Sequence, residues 1–344
     1  MKTSEKTDIA ALGEFQLLDR LAKIIDIKQP STVKGIGDDA AVVCYKEAAT
    51  VVSAGLFMEG VHFDLTYTPL QHLGYKLVTA GVSDIYAMNA MPRQILLSAG
   101  VSKRFAVEDL ETLYDGVKIA CEHYGLDLAG GNTTASLTGL TLHITAVGEA
   151  PEEKIVYRSG GKKTDLLCLS GDLGAAYMGV QLLEREKRVF DGNPLKQPQL
   201  EGYNYILQRH LKPEARRDII DLLAQNGIVP TAMINVRNGL ASDALHLCKQ
   251  SHCGVRIYLE RLPVASETFR FADEIHIDAV TAALHGGDDY ELLFTVPVAL
   301  YDTMCKELPG IDVIGHLCDA SEGACLLTPD NQALELKAPG WTPL

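Results

Sequence analysis

Two short segments of this 344-residue chain combine glycines with neighbouring carboxylates, and both residue types suit the binding of phosphate and metal ions. Residues 35–39 read Gly-Ile-Gly-Asp-Asp, and residues 286–291 read Gly-Gly-Asp-Asp-Tyr-Glu. A further acid, Asp84, stands within a mostly apolar stretch, where burial is costly unless the carboxylate is paired or coordinates a metal. Glycines let the backbone approach an anion closely, and carboxylate oxygens are the ligands that Mg²⁺ prefers. Asp38, Asp39 and Asp84 are therefore candidate metal ligands.

Each of these segments also has an ordinary structural interpretation. A Gly-x-Gly-Asp-Asp pattern is equally typical of a turn whose acids are solvated. Asp84 lies either in a buried site or on the exposed side of its helix. Residues 130–134, Gly-Gly-Asn-Thr-Thr, form either a tight backbone nest or an Asn-centred turn. For residues 286–291 the functional interpretation is favoured, because a solvated loop does not need two glycines in front of its acids.

Apolar spacing predicts the elements that must position these residues. Helices are predicted at residues 12–27, 71–90, 107–124, from 173 onward, 214–226 and 240–252. Strands are predicted at residues 40–44, 50–53, 94–101, 126–129, 140–148, 165–170, 232–236, 255–259, 291–296, 311–315 and 324–328. A polar segment at 151–154 predicts a boundary between two domains, 1–150 and 151–344. Because strands and helices alternate in both halves, we expect an α/β or α+β protein of two layered domains.

The bulk composition excludes several classes of protein. Lys and Arg total 31 and Asp and Glu total 45, so the formal net charge is −14. Without a basic surplus, a non-specific nucleic-acid binder is not expected. The eight cysteines contain no Cys-x-x-Cys pair, and the sequence has no apolar run long enough to cross a bilayer. We therefore expect a cytoplasmic protein with reduced thiols and with neither nucleic-acid nor membrane partners.

The order of the motifs along nearly the whole chain resembles the thiamine-monophosphate kinase family. That family belongs to the superfamily of aminoimidazole ribonucleotide synthetase and selenophosphate synthetase. The matching segments, in chain order, are residues 13–15, 35–43, 59–64, 73–76, 83–88, 130–131, 157–158, 170–174, 207–213, 286–294 and 340–341. Each motif alone is a weak signal, but the long ordered series is specific to the family.

The resemblance implies a two-domain fold like that of aminoimidazole ribonucleotide synthetase, whose N-terminal sheet-plus-helices domain pairs in a homodimer. It also implies that ATP and magnesium ions bind near the subunit interface and that the γ-phosphoryl group passes to thiamine monophosphate, giving thiamine diphosphate. Positions that match metal ligands of the family are Asp39 and Asp84, with Asp38 beside them. The nucleotide-binding positions are Tyr124, Gly130, Gly131, Asn132 and Arg158. The substrate-binding positions are His62, Asp288 and Trp341, and no catalytic residue is assigned.

Several acids that the resemblance leads us to expect are replaced in this chain. Where the family reads Ser-Thr-Asp, residues 53–55 end in Gly55, and where it reads Gly-Gly-Asp-Thr, the third residue is Asn132. The family pattern Asp-x-Ser-Asp-Gly-Leu becomes residues 235–240, with its changed positions at Asn235, Arg237 and Asn238. A glutamate of the family is the shorter Asp288.

These replacements predict fewer bound magnesium ions than the family norm, because a neutral amide is a weaker ligand than a carboxylate. Arg237 is a fixed cation that either substitutes for a metal ion against phosphate or repels one. Two functions therefore stay open: a thiamine-monophosphate kinase with weakened metal dependence, or a non-catalytic paralogue that binds a thiamine phosphate or a nucleotide and regulates. A changed acceptor substrate is a third alternative.

Overall fold

Two β-sheets, one from each half of the chain, form the framework of the protein. The structure is a computed structural model that describes residues 32–34, 38–44, 48–193 and 195–338. The predicted helix at 12–27, the glycines of residues 35–37 and Trp341 lie outside these described residues.

The first sheet has six strands, which are β1 (Thr32–Lys34), β2 (Ala41–Cys44), β3 (Ala48–Met58), β4 (Met91–Ser102), β5 (Asp127–Ser136) and β6 (Leu140–Pro151). Their spatial order is β1-β2-β3-β6-β4-β5, and neighbours are antiparallel except for the parallel pair β4–β5. Alternate residues of β6 are buried, which is the pattern of a sheet with one covered face. Helix α1 (Leu70–Ala87) covers that face, and α2 (Val107–Tyr124) packs against α1.

The second sheet has seven strands, which are β7 (Leu166–Ser170), β8 (Ala232–Val236), β9 (Gly254–Tyr258), β10 (Glu291–Val296), β11 (Ile311–Cys318), β12 (Ala324–Leu327) and β13 (Ala333–Glu335). Their order is β13-β12-β9-β11-β7-β10-β8. The helices of this half are α3 (Ala175–Gly192), α4 (Asn204–Leu211), α5 (Arg217–Gln225), α6 (Leu240–Ser251), α7 (Ser266–Glu274), α8 (Ala279–His285) and α9 (Tyr301–Lys306). Every residue of β7, β8 and β10 is buried, so both faces of these strands are covered.

Helix α1 is buried between the two sheets. Each of its residues from Leu73 to Ala87 is buried, and it contacts β3, β4 and β6 of the first sheet and β8 of the second. Strand β8 is an edge strand, and an edge that is covered by a helix is protected from pairing with other chains. This position places the two ionisable side chains Lys76 and Asp84 in the interior. The structure therefore excludes an exposed position for Asp84.

The mixed α/β fold class is confirmed, and most predicted elements lie within a few residues of those observed. The helix predicted at 107–124 is observed with those bounds, because Gly125 adopts a φ of 71° and ends it. One hydrophobic core cluster contains residues of both sheets, and the sheets change over between Pro151 and Leu166. The division into domains at residue 150 stays a prediction.

The structure corrects one local prediction and adds elements that the sequence reasoning missed. Residues 130–134 form neither a nest nor a turn, because they continue β5 in parallel pairing with β4. Helices α4, α7, α8 and α9 were not predicted. None of the helices within the described residues is both long and apolar enough to cross a membrane.

Candidate functional site

Asp84 is held by one polar group from each sheet. The Ser53 hydroxyl on β3 donates to Asp84 Oδ2 at 2.7 Å, and the Asn235 amide on β8 donates to Oδ1 at 2.9 Å. Burial raises the pKa of the Asp84 carboxyl above its usual range, although the nearby positive charge of Arg237 opposes this. An aspartate at position 235 would place two carboxylates in contact, which is unfavourable without a cation between them. The amide therefore makes a pair that is complete without a metal ion.

The second amide of this loop also lies beside a buried aspartate. Asp243 on α6 accepts hydrogen bonds from the backbone N–H groups of Arg237 and Asn238, both at 2.9 Å. The Asn238 side chain adds a longer contact of 3.4 Å to the other carboxylate oxygen. Burial raises the pKa of Asp243 to about 7. Asp243 thus fixes the backbone of the loop that follows β8.

The predicted metal ligands Asp38 and Asp39 lie against the predicted nucleotide-binding residue Arg158. Arg158 Nε is 2.7 Å from Asp39 Oδ2, and the Arg158 backbone N–H donates to Asp38 at 3.3 Å. Burial, together with the negative charge of Asp39, raises the pKa of Asp38. Although burial opposes the charged form of Arg158, the two acids raise its pKa, so it remains a cation. These three predicted residues form one cluster, and the charge of Asp39 acts on Asp84.

The predicted substrate-binding residues His62 and Asp288 lie on either side of a buried lysine. Lys76 Nζ is 2.9 Å from Asp288 Oδ2. Burial acts to raise the pKa of Asp288, but Lys76 and Arg237 outweigh it and hold the pKa at about 2. Burial and the charge of Arg237 lower the pKa of His62, whose Nδ1 accepts from the Met58 backbone N–H at 3.1 Å. Lys76 thus pairs with Asp288, and the charges of both act on His62.

Arg237 joins this region to Asp84. Its guanidinium carbon lies 5.6 Å from the centroid of the Phe57 ring, a cation–π distance. Its backbone carbonyl accepts from the Asp288 N–H at 2.8 Å. The charge of Arg237 acts on His62, Asp84 and Asp288.

The changed positions Gly55 and Asn132 do not lie on the same face of the first sheet. Gly55 is in register with Ile144, in a buried row of the face that α1 covers. Asn132 pairs with Ser98 in the row that also contains the exposed Leu56. Since directly paired residues project from the same face, Asn132 lies on the outer face, away from Asp84.

Two other predicted nucleotide-binding residues have structural roles. The Tyr124 hydroxyl accepts from the Ala215 backbone N–H at 2.8 Å and contacts Glu214 at 3.1 Å, which ties α2 to the second half of the chain. A Cβ atom on Gly131 would lie 1.8 Å from the Leu97 carbonyl oxygen, so the pairing of β4 and β5 requires glycine there. At Gly130 the nearest atom to such a Cβ is 3.9 Å away. Nucleotide binding by these residues stays a prediction.

The Asp38–Asp39 pair fits a divalent cation, whereas the surroundings of Asp84 do not. Asp38 and Asp39 are adjacent carboxylates whose mutual repulsion a cation would relieve. Around Asp84 the fit fails, because both oxygens already accept hydrogen bonds and Arg237 adds a positive charge. The buried Asn235 Oδ1 lacks a hydrogen-bond partner, but it is a neutral ligand. Among the residues that the structure describes, no group of three or more His, Cys, Asp or Glu is placed to hold a metal ion.

The remaining acids of segment 286–291 belong to a buried ionic network. Glu291 contacts Arg209 at 3.0 Å, and it also pairs with Arg216 and accepts from Ser170. Asp289 accepts from the Gly174 backbone N–H at 3.1 Å, at the start of α3. Burial raises the pKa of Asp289 to about 7. The two acids have partners within the protein and therefore support the fold.

Three residues of this region were not assigned a role from the sequence. Lys76 lies within the matching segment 73–76. A lysine in the apolar stretch before Asp84 could have been recognised as a buried charge. Asp243 was also visible as an acid in the predicted helix 240–252. Ser53 belongs to the segment 53–55 compared with the family, but its contact with Asp84 depends on how α1 lies across β3.

Comparisons with known proteins agree with this architecture. Residues 37–150 match the family model described as AIR synthase related protein, N-terminal domain. The thiamine-monophosphate kinase of Aquifex aeolicus strain VF5 is 33% identical over 286 residues, which are 83% of this chain and 86% of that protein. The thiamine-monophosphate kinase of Escherichia coli strain K12 is 31% identical over 324 residues, 92% and 94% of the two chains. The solved structure of AaThiL complexed with AMPPCP and TMP matches with a TM-score of 0.84 and 30% identity, covering 99% of this chain and 100% of that one.

Proposed function

This chain belongs to the thiamine-monophosphate kinase family, and we propose that it binds ATP and thiamine monophosphate between its two sheets and transfers a phosphoryl group. Relatives that carry this name align over most of the chain. A similar structure has been solved with AMPPCP, an ATP analogue, and TMP. The proposed activity is slower than is usual in the family, because acids have been replaced around Asp84.

The proposed reaction places few chemical demands on the side chains. An oxygen of the acceptor phosphate forms a bond to the γ-phosphorus of ATP, while the bond from that phosphorus to the β–γ bridging oxygen breaks. ADP leaves with the electron pair, and thiamine diphosphate is formed. The second pKa of a phosphate monoester is about 6, so the acceptor is mainly dianionic near pH 7. The protein therefore needs no general base, but it must orient two anions and balance their charge.

The charged cluster divides between the two substrates. Arg158 and the Asp38–Asp39 pair are assigned to the nucleotide side, and His62 and Asp288 to the thiamine side. Bound Mg²⁺ neutralises oxygen anions of a polyphosphate, and Asp38 and Asp39 are the residues that would hold it. We propose fewer ions than in the family, because the surroundings of Asp84 do not fit one.

One observation carries this proposal. Arg158 pairs with Asp39, the charges of Asp39 and Arg237 both act on Asp84, and the Arg237 carbonyl accepts from the Asp288 N–H, so both halves of the chain contribute charged residues to one region. A surface without a ligand does not require buried charges from three separate elements, since burying them is costly. Two anionic substrates that must meet explain why the cluster crosses the junction between the sheets.

The direct test is incubation of the purified protein with ATP, MgCl₂ and thiamine monophosphate, with thiamine diphosphate measured by chromatography. We expect product above a control without protein. Product formation equal to that control, from protein shown to be folded, would remove the kinase proposal.

The second candidate is a non-catalytic paralogue that binds a thiamine phosphate or a nucleotide. The pairs Asn235–Asp84 and Asn238–Asp243 favour it, because each provides an aspartate with an amide partner in place of a cation. Calorimetry separates the candidates, since magnesium-dependent ATP binding followed by normal turnover contradicts this one.

Introducing acids at the four positions tests whether the missing carboxylates limit turnover. The variant carries Gly55→Asp, Asn132→Asp, Asn235→Asp and Asn238→Asp together. A Cβ atom at position 55 would lie 3.4 Å from Ile144 Cγ2, an ordinary contact, so the new side chain has room. An increase in turnover indicates that the lost acids limit catalysis, and unchanged turnover contradicts that explanation.

We also propose that the protein is a cytoplasmic homodimer formed through the outer face of the first sheet. That face exposes apolar side chains from two strands: Leu56 and Met58 of β3 and Leu96 of β4. Asn132 lies on the same face, where a nucleotide site near the subunit interface would meet it. The mass measured by light scattering should be that of a dimer, and Leu56→Glu should shift it toward the monomer. A monomeric wild-type protein contradicts this proposal.

A further inference from the structure

The side chains of the loop after β8 carry a higher net charge in this chain than the family pattern carries with one magnesium ion bound. In the family pattern, two aspartates and one Mg²⁺ sum to zero, with a neutral serine between them. Here Asn235, Arg237 and Asn238 sum to one positive charge with no metal ion. The loop alone is therefore at least as attractive to an anion as the metal-loaded family loop.

The backbone of Arg237 is fixed on both sides. Its N–H donates to Asp243 Oδ2 at 2.9 Å, and its carbonyl accepts from the Asp288 N–H at 2.8 Å. The guanidinium lies over the Phe57 ring. A cation that is already in position loses little freedom when an anion binds, which makes each contact more effective.

The neighbours of Arg237 identify the anion that it faces. His62 and Asp288 match substrate-binding positions. The Phe57 ring under the guanidinium also lies 5.4 Å from the His62 ring, centroid to centroid, and the Asp288 N–H donates to the Arg237 carbonyl at 2.8 Å. Both oxygens of Asp84 accept hydrogen bonds, one from Ser53 and one from Asn235. Arg presents a planar fork of donors that matches the oxygens of a phosphate.

We propose that Arg237 binds the phosphate of thiamine monophosphate and takes the place of the metal ion that the family holds beside Asp84. The proposal rests on the proposed substrate, and it assigns the acceptor phosphate a ligand from the protein itself. Arg237 is thereby a phosphate-binding residue, and the acceptor phosphate is held without a metal ion.

Calorimetric titration in EDTA tests this with two ligands, thiamine monophosphate and thiamine, which differ by the phosphate. The variants are Arg237→Ser, Arg237→Lys and, as a matched control, Arg188→Ser. Arg188 is exposed on α3 and donates to a carbonyl of its own helix. Equal thermal unfolding midpoints for the four proteins establish that a loss of binding is not a loss of fold.

We expect wild-type protein to bind thiamine monophosphate in EDTA and Arg237→Ser to bind it about tenfold or more weakly, the usual effect of losing a charge-assisted hydrogen bond. Arg237→Lys should fall between them, because it keeps the charge and loses the fork. Thiamine binding should be the same in all four proteins. The proposal is overturned if wild type requires Mg²⁺ to bind thiamine monophosphate, or if Arg237→Ser weakens both ligands equally or neither.

Two further measurements separate this inference from the proposed kinase activity. If Arg237→Ser weakens ATP binding and leaves thiamine monophosphate binding unchanged, the acceptor assignment is wrong. If phosphate-selective binding depends on Arg237 but no thiamine diphosphate forms with MgCl₂, the kinase proposal fails and the role of Arg237 stands. If Arg237→Ser turns over normally, the kinase proposal stands and the proposed role of Arg237 fails.

Discussion

The loop after β8 and the segment before β10 lie side by side at one edge of the second sheet, yet they differ in the acids that they carry. Glu291 pairs with Val236 across the two strands. The segment before β10 carries Asp288, Asp289 and the strand residue Glu291, whereas the loop after β8 carries the amides Asn235 and Asn238.

The partners explain the difference between the two segments. Glu291 is balanced by two arginines, and Asp289 by a backbone N–H at the start of α3. Acids at 235 and 238 would instead lie against the carboxylates of Asp84 and Asp243, whose pKa values burial already raises. The comparison teaches that the acids before β10 are balanced within the protein, whereas acids at 235 and 238 would add repulsion beside buried carboxylates.

Removing the charge of Glu291 is the strongest test of the first half of this comparison. Glu291→Gln leaves Arg209 and Arg216 buried without their shared acid, so we expect the free energy of unfolding to fall by about 3–5 kcal/mol. Urea unfolding followed by circular dichroism measures it. The control is Glu335→Gln at an exposed pair with Lys337, where a change within about 0.5 kcal/mol is expected. Equal stabilities of the two variants would show that the network does not support the fold.

Restoring a single acid tests the second half. Asn235→Asp puts a carboxylate against Asp84, and we expect a loss of about 2 kcal/mol in EDTA at pH 8, with part of it recovered in MgCl₂. Asn235→Ala is the matched control, because it removes the same hydrogen bond and adds no charge. If Mg²⁺ stabilises both variants equally, or neither, repulsion between carboxylates is not the reason for the amide.

The pH dependence of stability gives a smaller effect with a defined sign. The folded-state pKa of Asp289 is about 7, above that of an unfolded aspartate, so the folded chain binds an extra proton between the two values. Stability from this group is therefore fully present below the unfolded pKa of 3.8, falls by about 1 kcal/mol per pH unit as the pH rises toward 7, and is lost above 7. Asp289→Asn should reduce this slope in urea unfolding at pH 5, 6, 7 and 8, and an unchanged slope assigns the dependence elsewhere.

The smallest effect is expected at the second amide. Asn238→Ala removes a side-chain contact of 3.4 Å to Asp243 and keeps the backbone donor at 2.9 Å. Because a contact of that length is weak, we expect a change of about 0.5 kcal/mol or less. A loss as large as that of Asn235→Asp would mean that the side chain, and not the backbone, fixes this loop.

The sequence predicted much of the framework because strong apolar periodicity and glycine ends are local signals. Helix α2 is an example, since its apolar spacing and Gly125 define both ends. The short helices α7, α8 and α9 were missed because they are brief and are stabilised by packing. Residues 130–134 were misinterpreted, because glycines that suggest a turn serve here as a strand beside β4.

For the candidate site, the motifs named residues that the structure brings together, but they did not show how those residues meet. The cluster of Asp38, Asp39 and Arg158 and the region of His62 and Asp288 join residues that the motifs had named. The contact between Asn235 and Asp84 joins residues 151 positions apart, and local patterns do not carry such information. The separation of Asn132 from Gly55 likewise depends on strand register, which follows from the assembled sheet.

Helix α1 fixes the distance between two ionisable residues of the candidate site. Lys76 and Asp84 are eight positions apart on this buried helix, so they lie about 12 Å from each other along its axis. A single inserted residue between them would turn one end by about 100°, so Lys76 could no longer reach Asp288 while Asp84 stayed with Asn235. We conclude that the number of residues between Lys76 and Asp84 is as strictly fixed by the fold as the identity of the two residues.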